Sequence, residues 1–273
     1  GEKGEGKWER ITWDEALDTI VERFRKVASE YGPESIVVGQ GTGRDYESHL
    51  YRFANLLGTP NVLTAGHMCY VSRVGSTLIT CGTLPIADYD GGPKCIVIWG
   101  CNPQWTNPDE YKGEAFWRAF KKGVKLICID PRKGFIANKA DLWLQIRPGT
   151  DAAMALGFHH VIIEEELYDK EFVEHYVHGW EPFKERVLRD YPPEKVQEIT
   201  WVDKELIRQT ARMYATTKPA CIHWGVPTEQ TINCVNYTRA TAGLMAITGN
   251  LDAPGGNALF VNPPTRTVSE FAR

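Results

Sequence analysis

The sequence predicts an α/β fold, with mostly parallel sheets covered by helices on both faces. Two observations carry that expectation. Apolar runs of strand length alternate along the chain with amphipathic stretches of helical period, and no hairpin signal joins one strand to the next. Strands that alternate with helices in this way form parallel sheets buried on both sides. A chain of 273 residues is long enough for one large α/β domain or two modest ones.

The first helix is announced by Thr12-Trp13-Asp14-Glu15, a Thr followed three residues later by Glu. Ala16, Leu17, Ile20, Val21, Phe24, Val27 and Ala28 then place one apolar face on it, and Gly32-Pro33 ends it. Ser35 to Val38 reads as a short buried strand that empties into Gly39-Gln40-Gly41-Thr42-Gly43, and a second helix follows from Tyr46 to Leu57. This strand, glycine loop and helix have the order of a nucleotide-binding unit, yet the spacing is not the dinucleotide fingerprint. The loop fits a tight turn as well as a phosphate cradle.

From Lys94 the alternation becomes regular. Strands are expected at Cys95 to Trp99, Val124 to Ile129, Leu142 to Ile146 and Ala220 to Trp224. Helices are expected at Asp109 to Lys122, Asp151 to Glu165, Asp203 to Thr216 and Cys234 to Ile247, with shorter helical pieces between Phe172 and Glu198. The tail from Leu251 to Arg273 reads as a long loop whose packing partner lies outside this sequence.

Composition narrows the function classes. A formal net charge of −4 supplies no global positive field for nucleic acid. No apolar stretch approaches the ~20 residues that cross a bilayer, so no direct membrane insertion is expected. The seven cysteines contain no C-x-x-C pair, so neither a zinc ribbon nor an iron–sulfur framework is encoded here. Cys95, Cys128 and Cys221 lie in apolar runs, where a thiol behaves as a small hydrophobe.

Ligands of parallel sheets bind beyond the carboxyl ends of the strands. Four such ends carry polar loops: Gly100 to Pro108, Asp130-Pro131-Arg132-Lys133, Arg147-Pro148-Gly149-Thr150-Asp151 and Trp224 to Gln230. Gly100 and Gly225 admit close approach of the backbone to a ligand. Arg132 and Arg147 suit phosphate oxygens, and Asp151, opening a helix, suits the donors of guanine. Each segment alone also fits ordinary turn or capping chemistry, with Asp151 as a helix N-cap. Four at successive strand ends favour one extended nucleotide-like ligand. Between the first α/β piece and the second, Cys69 follows His67 by two residues; this fits an activated thiol or a buried linker thiol.

Several stretches in order carry a resemblance: W-E-R-I-T-W-D-E-A-L from Trp8, Y-G-P-E-S-I from Tyr31, N-L-L-G-T-P-N-V from Asn55 and W-G-C-N-P from Trp99. I-D-P-R from Ile129, R-P-G-T-D-A-A from Arg147, L-Y-D-K-E-F-V from Leu167, A-R-M-Y-A from Ala211 and T-G-N-L-D-A-P-G-G-N from Thr248 extend it over the chain. Together they resemble the dimethyl-sulfoxide-reductase superfamily of molybdopterin oxidoreductases.

The resemblance implies Rossmann-like sheets of the kind that form the first three domains of formate dehydrogenase and dimethyl sulfoxide reductase. Residues 1–64 would be the amino-terminal half of a first α/β domain, 65–260 an α/β domain binding a molybdopterin guanine dinucleotide, and 261–273 a tail continuing into a parent protein. It implies molybdenum or tungsten held by two such dinucleotides, with Cys69 as metal ligand and His67 beside it as a candidate catalytic residue. Asn102, Asp130, Arg132 and Asp151 would hold one guanine-bearing arm, with Gly100, Pro103, Arg147, Gly149 and Asn250 among the cofactor-binding residues. Gly225 and Gln230 would lie along the pterin, and Gly41 and Gly43 belong to the region that takes the other arm. A 4Fe-4S cluster would sit in an amino-terminal domain outside this sequence. The implied partners are the remainder of the parent polypeptide and an iron–sulfur electron-transfer subunit. Tyr70 stands where formate dehydrogenases carry His, and the segment around Asn262 offers no Arg before Arg266. The thiosulfate- and polysulfide-reductase-like and acetylene-hydratase-like members therefore fit better than formate dehydrogenase. The contrasting reading is a stand-alone nucleotide-binding module with no redox chemistry.

Overall fold

The computed structural model describes residues 2–41, 46–64, 66, 69–106 and 111–261. The chain divides into two compact units, the first ending at His67 and the second spanning Met68–Asn262.

In the first unit, helix α1 (Trp13–Tyr31) starts as expected, with the Thr12 hydroxyl accepting from the Glu15 amide at 3.2 Å. Its apolar face is only partly covered among the described residues: Phe24, Val27 and Ala28 are half-buried, with Phe24 against Phe53, while Leu17, Ile20 and Val21 remain exposed. The described residues of this unit offer it little to pack on, a parallel ladder of β1 (Val38–Gly39) and β2 (Val62–Leu63) joined by α2 (Glu47–Leu57). The expected buried strand over Ser35 to Val38 is thus largely absent. Pro33–Ser35 is a 3-10 turn, Val37 is exposed, and only Ile36 is buried. The Ile36 carbonyl is held by the Thr59 hydroxyl at 2.6 Å instead of by a neighbouring strand.

The second unit opens with α3 (Val71–Cys81), β3 (Pro85–Ala87) and β4 (Cys95–Trp99), then α4 (Pro103–Thr106), α5 (Tyr111–Phe120), β5 (Lys125–Ile129) and β6 (Leu142–Leu144). Helices α6 (Asp151–Glu164), α7 (Lys170–Tyr176), α8 (Trp180–Asp190), α9 (Pro193–Thr200) and α10 (Lys204–Thr216) follow. The unit closes with β7 (Ala220–Trp224), α11 (Cys234–Ile247) and β8 (Asn257–Leu259). Strands β6-β5-β4-β7, in that order, form one parallel sheet. Alternate residues face opposite sides, as a pleated strand requires. Val97, Trp99, Ile127, Leu144 and Ile222 pack with Met154, Phe158, Ile207, Tyr214 and Leu244 from α6, α10 and α11. Ile96, Ile98, Leu126 and Cys221 pack on the other side with Ala115, Phe116 and Ala119 from α5. The three strand cysteines are buried free thiols, as their apolar flanks suggest.

Helix α3 was not expected from sequence. Its Gly, Ser, Thr and Val residues favour helix weakly, and it is fixed by packing on α11 and by Thr77 and Thr80 bonding back to the carbonyls of Arg73 and Ser76. The strand expected at Leu142 to Ile146 stops at Leu144, where it has no outer neighbour among the described residues.

The tail is where the sequence expectation needs correction. Asn257–Leu259 pairs antiparallel with Pro85–Ala87, so its partner lies within this chain. The Thr248–Asn257 loop also protects the outer edge of β7. The Asn250 side chain accepts from the Ala220 amide at 2.9 Å, and Asn257, fully buried, accepts from the Ile222 amide and donates to the Ile222 carbonyl, both at 2.9 Å. Two side-chain amides thereby replace a neighbouring strand on groups that would otherwise be buried unpaired.

Asn257→Ala should therefore lower unfolding stability by about 1–3 kcal/mol for each Ile222 group left unpaired. Urea denaturation of the two forms checks this; an unchanged midpoint would show that β7 does not depend on the Asn257 amide.

Candidate functional site

Because β6, β5, β4 and β7 are parallel, their carboxyl ends share one edge. The chain runs from β4 outward to β5 and β6 and then returns to place β7 on the other flank of β4. The junction of β4 and β7 is therefore the switch point at which doubly wound sheets bind ligands. Main-chain bonds align the four ends: Gly225 N–H to the Trp99 carbonyl and Gly100 N–H to the Ile129 carbonyl at 2.9 Å, and Asp130 N–H to the Leu144 carbonyl at 3.2 Å. The four polar loops expected to converge are thus neighbours along a single line.

At the switch point two glycines meet. Gly100 has φ +59°, and a Cβ there would stand 2.8 Å from the Thr228 methyl. A Cβ on Gly225 would overlap the Gly100 carbonyl oxygen. The expectation that these glycines admit a ligand needs amendment: their missing side chains are used first by the two loops against each other. Just beyond, the side-chain oxygens of Asn102 and Gln104 are buried with no hydrogen-bond partner among the described residues. Pro103 is buried at the start of α4.

On the β5 side, Asp130 folds back so that one oxygen accepts from the Arg132 amide at 2.7 Å, and the Arg132 side chain is exposed. Beyond β6, Arg147 lies 5.0 Å over the Trp201 ring, which orients its guanidinium, and Gly149 takes φ +81° in the turn that follows. Asp151 is not a helix N-cap. Thr150 holds that position, and Asp151 instead accepts from the Trp99 indole N–H at 2.8 Å, tying the end of β4 to the start of α6. Burial holds its carboxyl above the usual range, against the opposing pull of Trp99. Gln230 is exposed at the end of the Gly225–Gln230 loop, its amide bonded to the Val226 carbonyl.

Cys69 is a half-buried free thiol in the turn before α3. A second cysteine near this edge, Cys101, is different: burial pushes its thiol far up, so it stays protonated, and it lies 3.3 Å from the His223 carbonyl. Sequence reasoning missed Arg73 and Glu229. Arg73, in the first turn of α3, donates to the Trp224 carbonyl at 3.1 Å and lies 3.1 Å from the Glu229 carboxylate. Ser72 donates to the Glu229 main-chain carbonyl at 3.0 Å. The Glu229 side chain is fully buried, and neither of its oxygens receives a well-directed hydrogen bond. Burial raises its pKa to about 7, with Arg73 opposing. A lone acid inside a turn-forming loop gave no periodic signal that could have marked it.

Not every expected residue reaches this edge. Asn250 lies at the amino end of β7, the opposite side of the sheet, with its amide spent on Ala220 and on the Thr248 hydroxyl. Gly41 belongs to the first unit, while Gly43, His67 and the Asn262–Arg273 segment with Arg266 lie outside the described residues. A cavity of about 960 Å³ walled by α3, α6, α7, α8 and α11 is lined by none of the expected site residues.

The arrangement can now be set beside known proteins. The family model for molybdopterin oxidoreductases matches residues 2–270. The chain belongs to the molybdopterin oxidoreductase family. It is 43% identical to acetylene hydratase of Syntrophotalea acetylenica over 254 residues, covering 91% of this chain and 34% of that protein. It is 34% identical to formate dehydrogenase H of Escherichia coli, covering 94% of this chain and 36% of that one. It is 28% identical to the molybdopterin-containing thiosulfate reductase subunit PhsA of Salmonella typhimurium, covering 94% and 33%. The solved structure of acetylene hydratase from Pelobacter acetylenicus superposes with a TM-score of 0.77 at 42% identity, over 94% of this chain and 35% of that one. The chain spans about a third of the length of these relatives. The strand-end edge fits molybdopterin on its own chemistry: buried acceptors at Asn102 and Gln104 that are unpaired among the described residues, exposed guanidinium groups and two carboxylates suit the N–H, hydroxyl and phosphate groups of that cofactor.

The raised pKa of Glu229 has a consequence for stability. Below about pH 4.5 both folded and unfolded states carry its proton; between there and about 7 only the folded state keeps it, so stability falls as pH rises through that window. Glu229→Gln should flatten this fall, measured as the difference in urea midpoint between about pH 5 and about pH 7.5. Equal slopes for the two forms would show that Glu229 does not titrate in this window.

Proposed function

We propose that this chain is the part of a molybdenum- or tungsten-dependent enzyme that grips one molybdopterin guanine dinucleotide and supplies the metal-ligating thiolate, Cys69. The observation that carries the reading is the adjacency of the four polar loops along one parallel edge, centred on the switch point between β4 and β7. On this reading the carboxylates of Asp130 and Asp151 accept from a ribose and from the N–H groups of guanine. Arg132 and the Trp201-braced Arg147 take phosphate oxygens, and Asn102 and Gln104 receive donors they otherwise lack. Cys69 is the ligand preferred over Cys101, whose thiol is directed at the His223 carbonyl 3.3 Å away. When bound, the group supplies oxygen-atom or two-electron transfer, or activation of water in a hydratase-like reaction. The protein's share is to orient the cofactor and exclude competing contacts.

The reading extends to a parent polypeptide. In it, residues 1–64 are part of a first α/β domain that takes a second dinucleotide through Gly41 and Gly43, a further domain carries a 4Fe-4S cluster, and an iron–sulfur subunit exchanges electrons where the reaction is redox. His67 stands two residues from Cys69 as a candidate acid or base. Identity with acetylene hydratase favours a hydratase-like reaction as the first substrate class to screen.

In the full-length parent, Cys69→Ala should abolish metal-dependent turnover while leaving pterin content near the wild-type level; retained turnover would remove Cys69 from the site. Arg132→Ala combined with Arg147→Ala should instead lower pterin content, by roughly tenfold or more at limiting cofactor, since each lost charge-assisted bond to phosphate is worth ~1.5–3 kcal/mol. Unchanged pterin content after extraction would place the phosphates elsewhere.

A further inference from the structure

We propose that Arg73 is a positioning residue: with Glu229 and Ser72 it locks the turn carrying Cys69 to the loop following β7, so that metal ligand and pterin-facing loop move as one body. This rests on the reading of Cys69 as the metal ligand. The geometry that points to it is a three-point attachment. Arg73 reaches the Trp224 carbonyl, at the very end of β7, with one nitrogen, and the Glu229 carboxylate with another, each at 3.1 Å. Ser72, the preceding residue, bonds the Glu229 carbonyl at 3.0 Å. All three contacts join the first turn of α3 to Trp224 and Glu229, which bracket the switch-point loop.

The rigidity extends both ways from that clamp. Toward the cysteine, the Tyr70 carbonyl accepts from Val74 at 3.0 Å, so Arg73 and the residue following Cys69 lie in the same helical turn. Toward the sheet, Gly225 is bonded to Trp99, and Thr228 bonds the Gly225 carbonyl at 2.7 Å and packs at Gly100. The Glu229 side chain is fully buried and that of Arg73 is 21% exposed. A buried pair of this kind contributes little net stability, because desolvation offsets the attraction; what it supplies is a fixed register between the two elements it joins. A planar, two-pronged guanidinium suits that task, since one side chain addresses two acceptors at once.

The test uses the full-length holoenzyme with Arg73→Gln, Arg73→Lys, Glu229→Gln and Cys69→Ser, read by electron paramagnetic resonance of the metal and by hydrogen exchange of the α3 amides. Arg73→Gln should replace a single metal signal by a shifted or split one and speed exchange at Val74 to Thr77 by about tenfold or more, the loss of one charge-assisted bond. Glu229→Gln, near-isosteric and without a buried charge to strand, should fold normally and produce a smaller shift of the same kind. Arg73→Lys, with one ammonium in place of two prongs, should restore part of the wild-type spectrum. A signal altered by Cys69→Ser but identical to wild type in Arg73→Gln and Glu229→Gln would overturn the positioning role and leave the ligand assignment standing. A signal unchanged by Cys69→Ser would overturn the ligand assignment, and the positioning role with it.

Discussion

The contact on which the site depends is between two backbones. At the carboxyl ends of β4 and β7 the loops approach so closely that no side chain fits at Gly100 or Gly225. That approach lets the Gly225 amide reach the Trp99 carbonyl and brings Thr228 over Gly100. In a doubly wound sheet the switch point is an opening by topology, because successive crossovers leave it in opposite directions. Here the opening is floored by protein backbone, and what remains for a ligand is the rim of side chains around it. The polar groups left unpaired among the described residues, at Asn102 and Gln104, sit on that rim.

Much of this was legible in the sequence, for a physical reason. Strand β7 and helix α11 occupy the expected residues because their boundaries are set locally: an apolar run closed by Gly225, and a long apolar helix closed by the Gly249 turn. The four polar loops were found by the same logic, since each begins where an apolar run stops. What escaped was structure fixed by distant partners. Helix α3 has weak intrinsic preference and exists through its contact with α11. The three-residue strands β3 and β8 are too short for any period to show, and they meet across most of the second unit's sequence.

A distinctive motif string can carry a structural task of its own. The stretch from Thr248 to Asn257 is among the most distinctive in the chain, and Asn250 within it was expected to touch cofactor. In the fold its two asparagines seal the outer edge of β7, while Gly255 donates to Asp88 at 3.0 Å to hold the loop shut. A segment can be tightly specified because an exposed strand edge must be closed, with no ligand involved. Asp151 makes the same point at shorter range. It stands at the expected place, but its first hydrogen bond goes to Trp99, which positions the carboxylate before anything else can use it.

The charged groups of the site divide by their surroundings. Arg132 and Arg147 are exposed, so each can meet a phosphate while water screens it in the free protein. Glu229 is sealed, and its charge is opposed by burial and favoured by Arg73. A fold with no use for that pair could replace it with apolar side chains of similar size at no loss of stability. The contacts that Arg73 makes are therefore described better by what they join than by what they stabilise. What they join is the first turn of α3, just after Cys69, and the loop that leaves β7, so a shift of either segment is felt by the other.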